Sequence, residues 1–523
     1  TVANFYLKRD ENGNDYLDFL TTNEETFAKR EKNWRSNLYI SKVDTEDIFS
    51  TLCERYGIED LDYETQYKVL SIWQELQMYA FQSKPVAIAY DVNMNTVAQI
   101  EAASIDLTGA SVEQTTKRVY PRGTLAAHII GYTGSISEDS LDDYLYKGYS
   151  ADDRVGVYGI EKSMEDQLSG NISYRQGSRE VEVDANGAVM RELSYKAPVD
   201  GSNVVLTLDL EMQQILEESL AYNIEEARKI QMEALTTATD AQLEKYQQQI
   251  ENRDGEPLRL AATGAAVVLD VHTGEVLAMA SYPSFDPNDF IRGMTTEEYN
   301  EKYNIDTSPL FNRAISTKAT PGSIFKLVTT AAALETIPDA QQLQFTCTGK
   351  TVIGGQEIIC MGDHGTISMS QALAHSCNVY YGELAAKVGR DALQRTCDKL
   401  GLNGTLSCDG YKARSTVDLS QADEGSVAWA GIGQYTDQIT ALQFMRYMGA
   451  IAGGGNAAEP YLMQKISRAG QTVYEAKTES TGALLPADTA QALGAMMRST
   501  VVNQYGAWQF GALTVCGKTG TAE

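Results

Sequence analysis

The run Ala319-Thr320-Pro321-Gly322-Ser323-Ile324-Phe325-Lys326, continuing as Leu327-Val328-Thr329-Thr330-Ala331-Ala332-Ala333-Leu334, constrains this chain more than any other stretch. Pro321 and Gly322 mark a turn into a helix that is apolar on nearly every side. Such a helix belongs in the centre of a large core. Yet it carries a hydroxyl at Ser323 and an amine at Lys326, three residues apart and so on one face. Unpaired N–H groups and the positive dipole end of a first helical turn favour negative charge developing on the serine. Burial disfavours an ammonium, so Lys326 is expected to be neutral often enough to take the serine proton. About one Ser-x-x-Lys is expected by chance in a chain this long, so an accidental match in a core helix stands beside the catalytic reading until other segments are weighed.

A core of that size needs length, and 523 residues suffice for two or three domains. A formal charge of −28 with no block of lysine or arginine argues against nucleic acid as a ligand. The chain begins at Thr1, with no signal segment and no apolar run long enough to span a bilayer. It reads either as soluble by nature or as an ectodomain separated from an anchor. Seven scattered cysteines are too few for a disulfide scaffold, and four histidines limit any histidine-based mechanism. No Gly-x-Ser-x-Gly elbow, Walker loop or His-Glu-x-x-His motif occurs.

Residues 1–85 are polar and mostly helical in pattern, with Val69, Leu70, Ile72, Trp73 and Leu76 as one expected buried stripe. From Val86-Ala87-Ile88-Ala89 the pattern changes to short strands and turns, through Gly156–Lys162 to strand-like Glu180–Asp184 and the turn Asn186-Gly187. His128 lies in an apolar run and reads as a satisfied core histidine. A domain boundary is expected near Pro198–Gly201, giving domains 1–202 and 203–523. Asp209 should cap the helix that follows, and residues 230–257 read as a solvated excursion. Ala265–Asp270 and Glu275–Ala280 flank a turn at His272-Thr273-Gly274, predicting a hairpin of two buried strands. A sheet with buried helices over its faces makes this half α+β or α/β.

Two further segments bear on the serine. Helix Ser368–Ala374 runs into Ser376-Cys377-Asn378, whose hydroxyl and amide either cap the next helix or enter a site. At the end, Val515-Cys516-Gly517-Lys518-Thr519-Gly520-Thr521-Ala522 reads as a strand. Lys518 and Gly520 share a face by period two, and Gly520 allows close approach to the backbone. An edge strand of small residues with a cation and hydroxyls suits an extended peptide and its carboxylate.

Taken together, Ser-x-x-Lys, Ser-x-Asn about 50 residues later and Lys-Thr-Gly about 140 beyond resemble the motif set of penicillin-binding proteins and serine β-lactamases. The likeness extends over roughly residues 85–228 and 260–523. Gly264–Asn288 resembles the strand–turn–strand opening a transpeptidase domain, Asn312-Arg313-Ala314 the approach to its serine, and Asp363-His364-Gly365 the turn before Ser-x-Asn. Gly431-Ile432-Gly433-Gln434 with Thr440–Gln443 resembles its Gly-Gln loop. Arg118-Val119-Tyr120-Pro121, Gly131-Tyr132, Gly156–Lys162 and Val205–Asp209 resemble the non-catalytic pedestal of class B enzymes, and Val86–Gly170 looks more like the cell-elongation type than the division type.

The resemblance implies an α+β fold: a transpeptidase domain with an antiparallel sheet flanked by helices, on an elongated α+β pedestal. It implies a serine DD-transpeptidase that cross-links peptidoglycan stem peptides ending in D-Ala-D-Ala and is inhibited by β-lactam antibiotics. Ser323 would be the nucleophile and Lys326 its base. Ser376 would relay a proton to the leaving amine, and Asn378 would bond the substrate amide. Lys518 would set the electrostatics, Thr519 with Gly520 and Thr521 would bind substrate, and the N–H groups of Ser323 and Thr521 would form an oxyanion hole. No cofactor and no metal are called for. A membrane glycosyltransferase partner and an outward-facing membrane location follow from the family alone.

Class B chains normally begin with a cytoplasmic tail and a membrane helix and continue past Lys-Thr-Gly with more strands. This chain therefore reads as a fragment, with residues 1–85 and 230–257 lacking a counterpart. Cys347 and Cys360 flank a Gly354-Gly355 hairpin near His364, and leave open reduced thiols, a disulfide or a metal site. Cys377 and Cys516 read as small buried residues. The alternatives to the enzyme are a β-lactam-sensing or silent scaffold protein of the wall machinery, and a β-lactamase, for which no deacylating glutamate is assignable.

Overall fold

Every residue from Lys326 to Ala333 is buried in the helix Lys326–Thr336, and its small side chains let neighbouring elements close on it from several directions. The computed structural model describes residues 5–19, 24–78, 86–103, 106–107, 109–112, 116–150, 153–183, 189–251 and 260–522. The chain falls into two compact units, Thr1–Lys117 and Arg118–Glu523.

In the second unit the buried helix packs against helices Asn378–Val388, Arg390–Lys399 and Ala487–Thr500. Three hydroxyls pin it: Tyr447 donates to Leu327 O at 2.9 Å, Thr329 to Gly431 O at 2.7 Å, and Tyr381 Oη meets Thr330 Oγ1 at 2.9 Å. Phe325, Leu327 and Val328 enter one contiguous core with Leu373, Tyr380, Leu384, Leu393 and Leu493. Truncating one of these large apolar residues would cost about 2–5 kcal/mol, which is why the helix is a fixed platform.

The expected hairpin forms from Gly264–Leu269 and Val276–Tyr282. Asp270 closes its turn by accepting from the N–H groups of His272 and Thr273 at 2.8 and 2.9 Å. Only Val276–Tyr282 is largely buried; Gly264–Leu269 is half-buried throughout. The expectation of two buried strands is corrected here: the helix Leu210–Thr236 packs chiefly on Val276–Tyr282 and leaves Gly264–Leu269 partly open. Asp209 caps the helix Leu210–Thr236 by accepting from Met212 N at 2.8 Å. Gln213 on that helix bonds both N and O of Met279, fastening helix to hairpin. The outer part of the helix and the helix Asp240–Glu251 are mostly exposed, as a solvated excursion should be; residues 252–257 lie outside the described residues. Asn203–Leu206 joins a three-stranded antiparallel sheet with Met463–Arg468 and Gln471–Glu475.

Further corrections concern residues 86–196. Val86–Ala89 forms no strand. Among the described residues, the strands there are the short pair Thr133–Ser135 and Arg154–Gly156 and the exposed hairpin Ser178–Val183/Val189–Lys196; the turn Asn186-Gly187 and Asp184 lie outside the described residues. His128 is buried and its Nε2 lies 2.7 Å from Pro309 O, a satisfied core histidine held well below its ordinary pKa, at about 4, by burial.

The first unit gathers a hairpin, Leu7–Arg9 with Asp15–Leu17, and helices Glu24–Asn37, Ile48–Tyr56 and Tyr63–Met78 around Phe5, Phe19, Trp34, Leu52 and Leu70. The stripe expected on the third helix is rotated: Leu70, Ser71 and Gln74 are buried, whereas Trp73 and Leu76 are exposed. The polar Gln74 tolerates burial because its Oε1 accepts from Trp34 Nε1 at 2.9 Å, and Trp73 instead stacks on Tyr56 at 4.7 Å.

Candidate active site

Ser323 stands on a 3₁₀ turn, Gly322–Phe325, that feeds directly into the buried helix. With three residues per turn, a 3₁₀ segment eclipses positions i and i+3, so Ser323 lies over Lys326. The turn is wedged between two other segments, and glycine is needed for it. Gly322 has φ +55°, and a Cβ there would meet Thr521 O at 2.1 Å. Its N–H donates to Gly433 O at 2.9 Å, while Ala319 pairs with Ile439 and Gln438 Nε2 donates to Thr320 Oγ1 at 3.0 Å. The Gly431–Gln434 loop is therefore one wall of the serine turn.

Lys326 is fully buried and its Nζ is the hub of the site. It lies 3.0 Å from Ser323 Oγ, 2.7 Å from Ser376 O, 3.2 Å from Ser376 Oγ and 2.6 Å from Asn378 Oδ1. Burial, and secondarily the charge of Lys518, draw its pKa from the ordinary lysine value down to about 7. At neutral pH a substantial fraction of this amine is unprotonated, as a base within reach of a hydroxyl requires.

Helix Met369–Ala374 ends and helix Asn378–Val388 begins around Ser376-Cys377-Asn378. Ser376 takes φ 54°, uncommon for a residue with a Cβ, and this left-handed kink turns both its carbonyl and its hydroxyl toward Lys326. Asn378 spans the gap to the next strand: its Oδ1 holds Lys326 and its Nδ2 donates to Ile359 O at 2.9 Å. Both motif side chains enter the site; Cys377, between them, does the capping, its Sγ accepting from Tyr380 N at 3.4 Å.

Residues 515–522 lie where the site needs them but are not a strand, because no neighbouring strand pairs with them among the described residues. Arg498 donates to Val515 O at 2.9 Å instead. Cys516, expected to be buried, is exposed for the same reason. Lys518 Nζ donates to Ser376 Oγ at 3.0 Å, and burial lowers its pKa to about 8. Gly520 does allow close approach, and the element that approaches is the serine turn: a Cβ there would meet Pro321 O and Ile324 Cγ2, each at 2.9 Å. Thr521 lies against Gly322, so the segment reaches the serine turn from the other side. Thr519 meets a residue that the sequence did not single out, Tyr505, whose Oη lies 2.8 Å from Thr519 Oγ1.

Behind Ser376–Asn378, one ligand atom each of Cys347, Cys360, His364 and Cys377 lies within 4.8 Å of the others. Cys347 and Cys360 carry free thiols. The Sγ atoms of Cys360 and Cys377 lie 3.8 Å apart, and the contact between them holds the Cys360 thiol low and the Cys377 thiol high. Three thiols and an imidazole are a donor set that fits a structural zinc ion. Spacing had joined Cys347, Cys360 and His364; Cys377 enters only because the fold brings the two helices back across the hairpin Gln344–Ile353/Gln356–Ser368.

A serine under a partly neutral buried lysine, with a second serine bridging to a second lysine, is the kind of arrangement in which an amine can take a hydroxyl proton. Residues 264–523 match the penicillin-binding protein transpeptidase domain and residues 17–206 the penicillin-binding protein dimerisation domain. This chain belongs to the penicillin-binding proteins, with the family's α+β fold of transpeptidase and dimerisation domains. The match to the dimerisation domain reaches into the segment 1–85 for which sequence reading found no counterpart.

The chain is 26% identical over 445 residues to the peptidoglycan D,D-transpeptidase MrdA of Salmonella typhimurium (strain SL1344), covering 80% of this chain and 63% of that protein. It spans about half to two thirds of the length of the MrdA relatives it matches. A solved structure described as the structural coordination of polymerization and crosslinking by a peptidoglycan synthase complex is similar at TM-score 0.62 and 28% identity, covering 86% of this chain and 74% of that one. The D,D-transpeptidase domain of a peptidoglycan glycosyltransferase from Eggerthella lenta is similar at TM-score 0.57 and 26% identity, covering 78% and 82%.

Proposed function

We propose that this chain is a class B, elongation-type serine DD-transpeptidase acting on peptidoglycan stem peptides. The observation that carries the reading is the placement of Lys326 Nζ, buried and partly neutral, 3.0 Å from Ser323 Oγ. Ser323 Oγ attacks the carbonyl carbon between the two terminal D-alanines while its proton passes to Lys326. The tetrahedral oxyanion sits between the N–H groups of Ser323 and Thr521. As the C–N bond breaks, the proton travels through Ser376 Oγ, which touches both lysines, to the leaving amine. Free D-alanine departs and an ester on Ser323 remains. The amine of a second stem peptide then attacks that ester, forming the cross-link and restoring the serine.

Asn378 steers the substrate amide, and Lys518 with Thr519 receives the terminal carboxylate. A β-lactam carries the same carboxylate and an acylating carbonyl, and would stay on Ser323. Residues 1–202 would serve as a pedestal and 203–523 as the transpeptidase domain, working outside a bacterial membrane beside a membrane glycosyltransferase. Among the described residues no helix is long and apolar enough to cross a membrane. Similarity to MrdA proteins supports the elongation assignment, and similarity to a peptidoglycan synthase complex that coordinates polymerization and crosslinking supports the pairing with a polymerising partner.

The test is to supply a stem pentapeptide ending in D-Ala-D-Ala with an amine acceptor. Release of D-alanine matched by coupled product, both absent in Ser323→Ala, is expected. A folded protein that releases no D-alanine contradicts the assignment.

A further inference from the structure

The helix Ala487–Thr500 does not end in an ordinary cap; it widens into a π-helical turn, Val501–Tyr505, beside the cleft. Such turns are uncommon and recur at functional sites. This one reaches both motif walls with consecutive residues. Gln504 Nε2 lies 3.4 Å from Nδ1 of His375, the neighbour of Ser376, and Tyr505 clasps Thr519. The clasp has two bonds: Thr519 N donates to Tyr505 Oη at 3.1 Å, and Tyr505 Oη lies 2.8 Å from Thr519 Oγ1.

The donor inventory makes this arrangement directional. A phenolic oxygen that accepts the Thr519 N–H still has its own proton to give, and Thr519 Oγ1 is within reach of it. When Tyr505 donates, the threonine hydroxyl cannot point its hydrogen back at the phenol and is left to donate into the cleft. Lys518 sits one residue away with its Nζ bonded to Ser376 Oγ and to Thr519 O, so the outward donor and a cation stand side by side. That pairing suits an anion.

We infer that Tyr505 is a positioning residue for substrate carboxylate recognition: it holds the Thr519 hydroxyl as an outward donor beside Lys518, and so sets affinity for acyl donors bearing a carboxylate. This rests on the transpeptidase reading above. Among the described residues Tyr505 is bonded to neither Ser323 nor Lys326, so its effect falls on binding and not on the acylation step.

The experiment compares benzylpenicillin with its neutral methyl ester as acylating agents on the parent, Tyr505→Phe, Thr519→Val and the double variant. Saturation kinetics separate Kd from the acylation rate constant. Tyr505→Phe is expected to weaken benzylpenicillin binding about five- to tenfold and to leave its acylation step within about twofold. Reaction with the methyl ester should be unchanged, and the double variant should be no weaker than Thr519→Val alone, as residues acting through one contact require. Thermal unfolding of Tyr505→Phe checks that the variant is folded.

Equal losses for the acid and the ester would show a merely structural role and overturn the inference. Unchanged benzylpenicillin binding would overturn it while leaving the transpeptidase reading intact. A folded parent that neither compound acylates would overturn that reading, and the inference with it.

Discussion

Lys326 and Lys518 approach one hydroxyl, Ser376 Oγ, from 3.2 and 3.0 Å. Burial penalises both charges, and the charge of Lys518 further disfavours that of Lys326, so the pKa values fall to about 7 for Lys326 and about 8 for Lys518. Apparent values belong to such a pair jointly. In the proposed roles, Lys326 must lose its proton to act as base, whereas Lys518 must keep its own to face a carboxylate. Acylation by benzylpenicillin should therefore rise as pH passes about 7 and fall above about 8, giving a narrow bell. A profile flat from pH ~5.5 to ~9.5 contradicts this division of roles.

Removing one lysine should move the other. Without the Lys518 charge, protonated Lys326 is less disfavoured, so its pKa rises. In Lys518→Ala the acid limb is expected to shift by roughly half to one pH unit toward alkali, and the alkaline limb should vanish. The check is the same pH series; an acid limb that stays in place means the two lysines are not coupled.

Burial of Lys326 has a stability consequence with a definite sign. Its folded pKa, about 7, lies below the ordinary 10.5, so between those values the unfolded chain holds a proton that the folded chain has released. Stability must rise with pH across that window. Lys326→Met removes the penalty and is expected to raise Tm by about 2–5 °C at neutral pH, although bonds lost at Ser376 O and Asn378 Oδ1 offset part of the gain. The gap between variant and parent should close as pH approaches 10.5. Calorimetry at several pH values reads this directly, and a gap independent of pH would refute the buried-base description. Acylation should be lost in the same variant.

Gly520 tests the geometry without touching a reactive group. A methyl there would press on Pro321 O and Ile324 Cγ2 at 2.9 Å and push Lys-Thr-Gly away from the serine turn. Gly520→Ala is expected to slow acylation more than about tenfold with a Tm change of only a few degrees. Normal acylation by this variant would mean that the close approach is not required.

The thiol cluster gives a metal prediction. Cobalt(II), used as a spectroscopic stand-in for zinc, should bind the reduced chain at one equivalent with a thiolate charge-transfer band, lost in Cys360→Ser and displaced by zinc. Because Cys377 sits between Ser376 and Asn378, chelation should also slow acylation severalfold. Absence of the band in folded protein would show that the four donors do not converge on an ion.

What the sequence made legible was what short-range order decides. An apolar run around Ser323 and Lys326 announced a buried helix, and the 3₁₀ turn kept their i,i+3 contact. The helix–helix junction at Ser376–Asn378 and the cap at Asp209 were equally local. What stayed hidden depends on distant partners. Val515–Ala522 carries a strand's residue pattern, yet a strand exists only with a neighbour to bond, which a pattern cannot supply. Hydrophobicity alone places Trp73 inward, although Gln74 takes the interior through its bond to Trp34. Tyr505 had no local signature, since its role comes from a π-helical turn that aims it at a segment fourteen residues on. Cys377 joined its cluster only through the fold.

The most direct measurement is intact mass after incubation with benzylpenicillin, on the parent and on Ser323→Ala. One stable drug adduct on the parent, mapped to the Ser323 peptide and absent from the variant, is the predicted result. A folded parent with no adduct, or an adduct that persists in Ser323→Ala, would contradict the claim that Lys326 makes Ser323 a nucleophile.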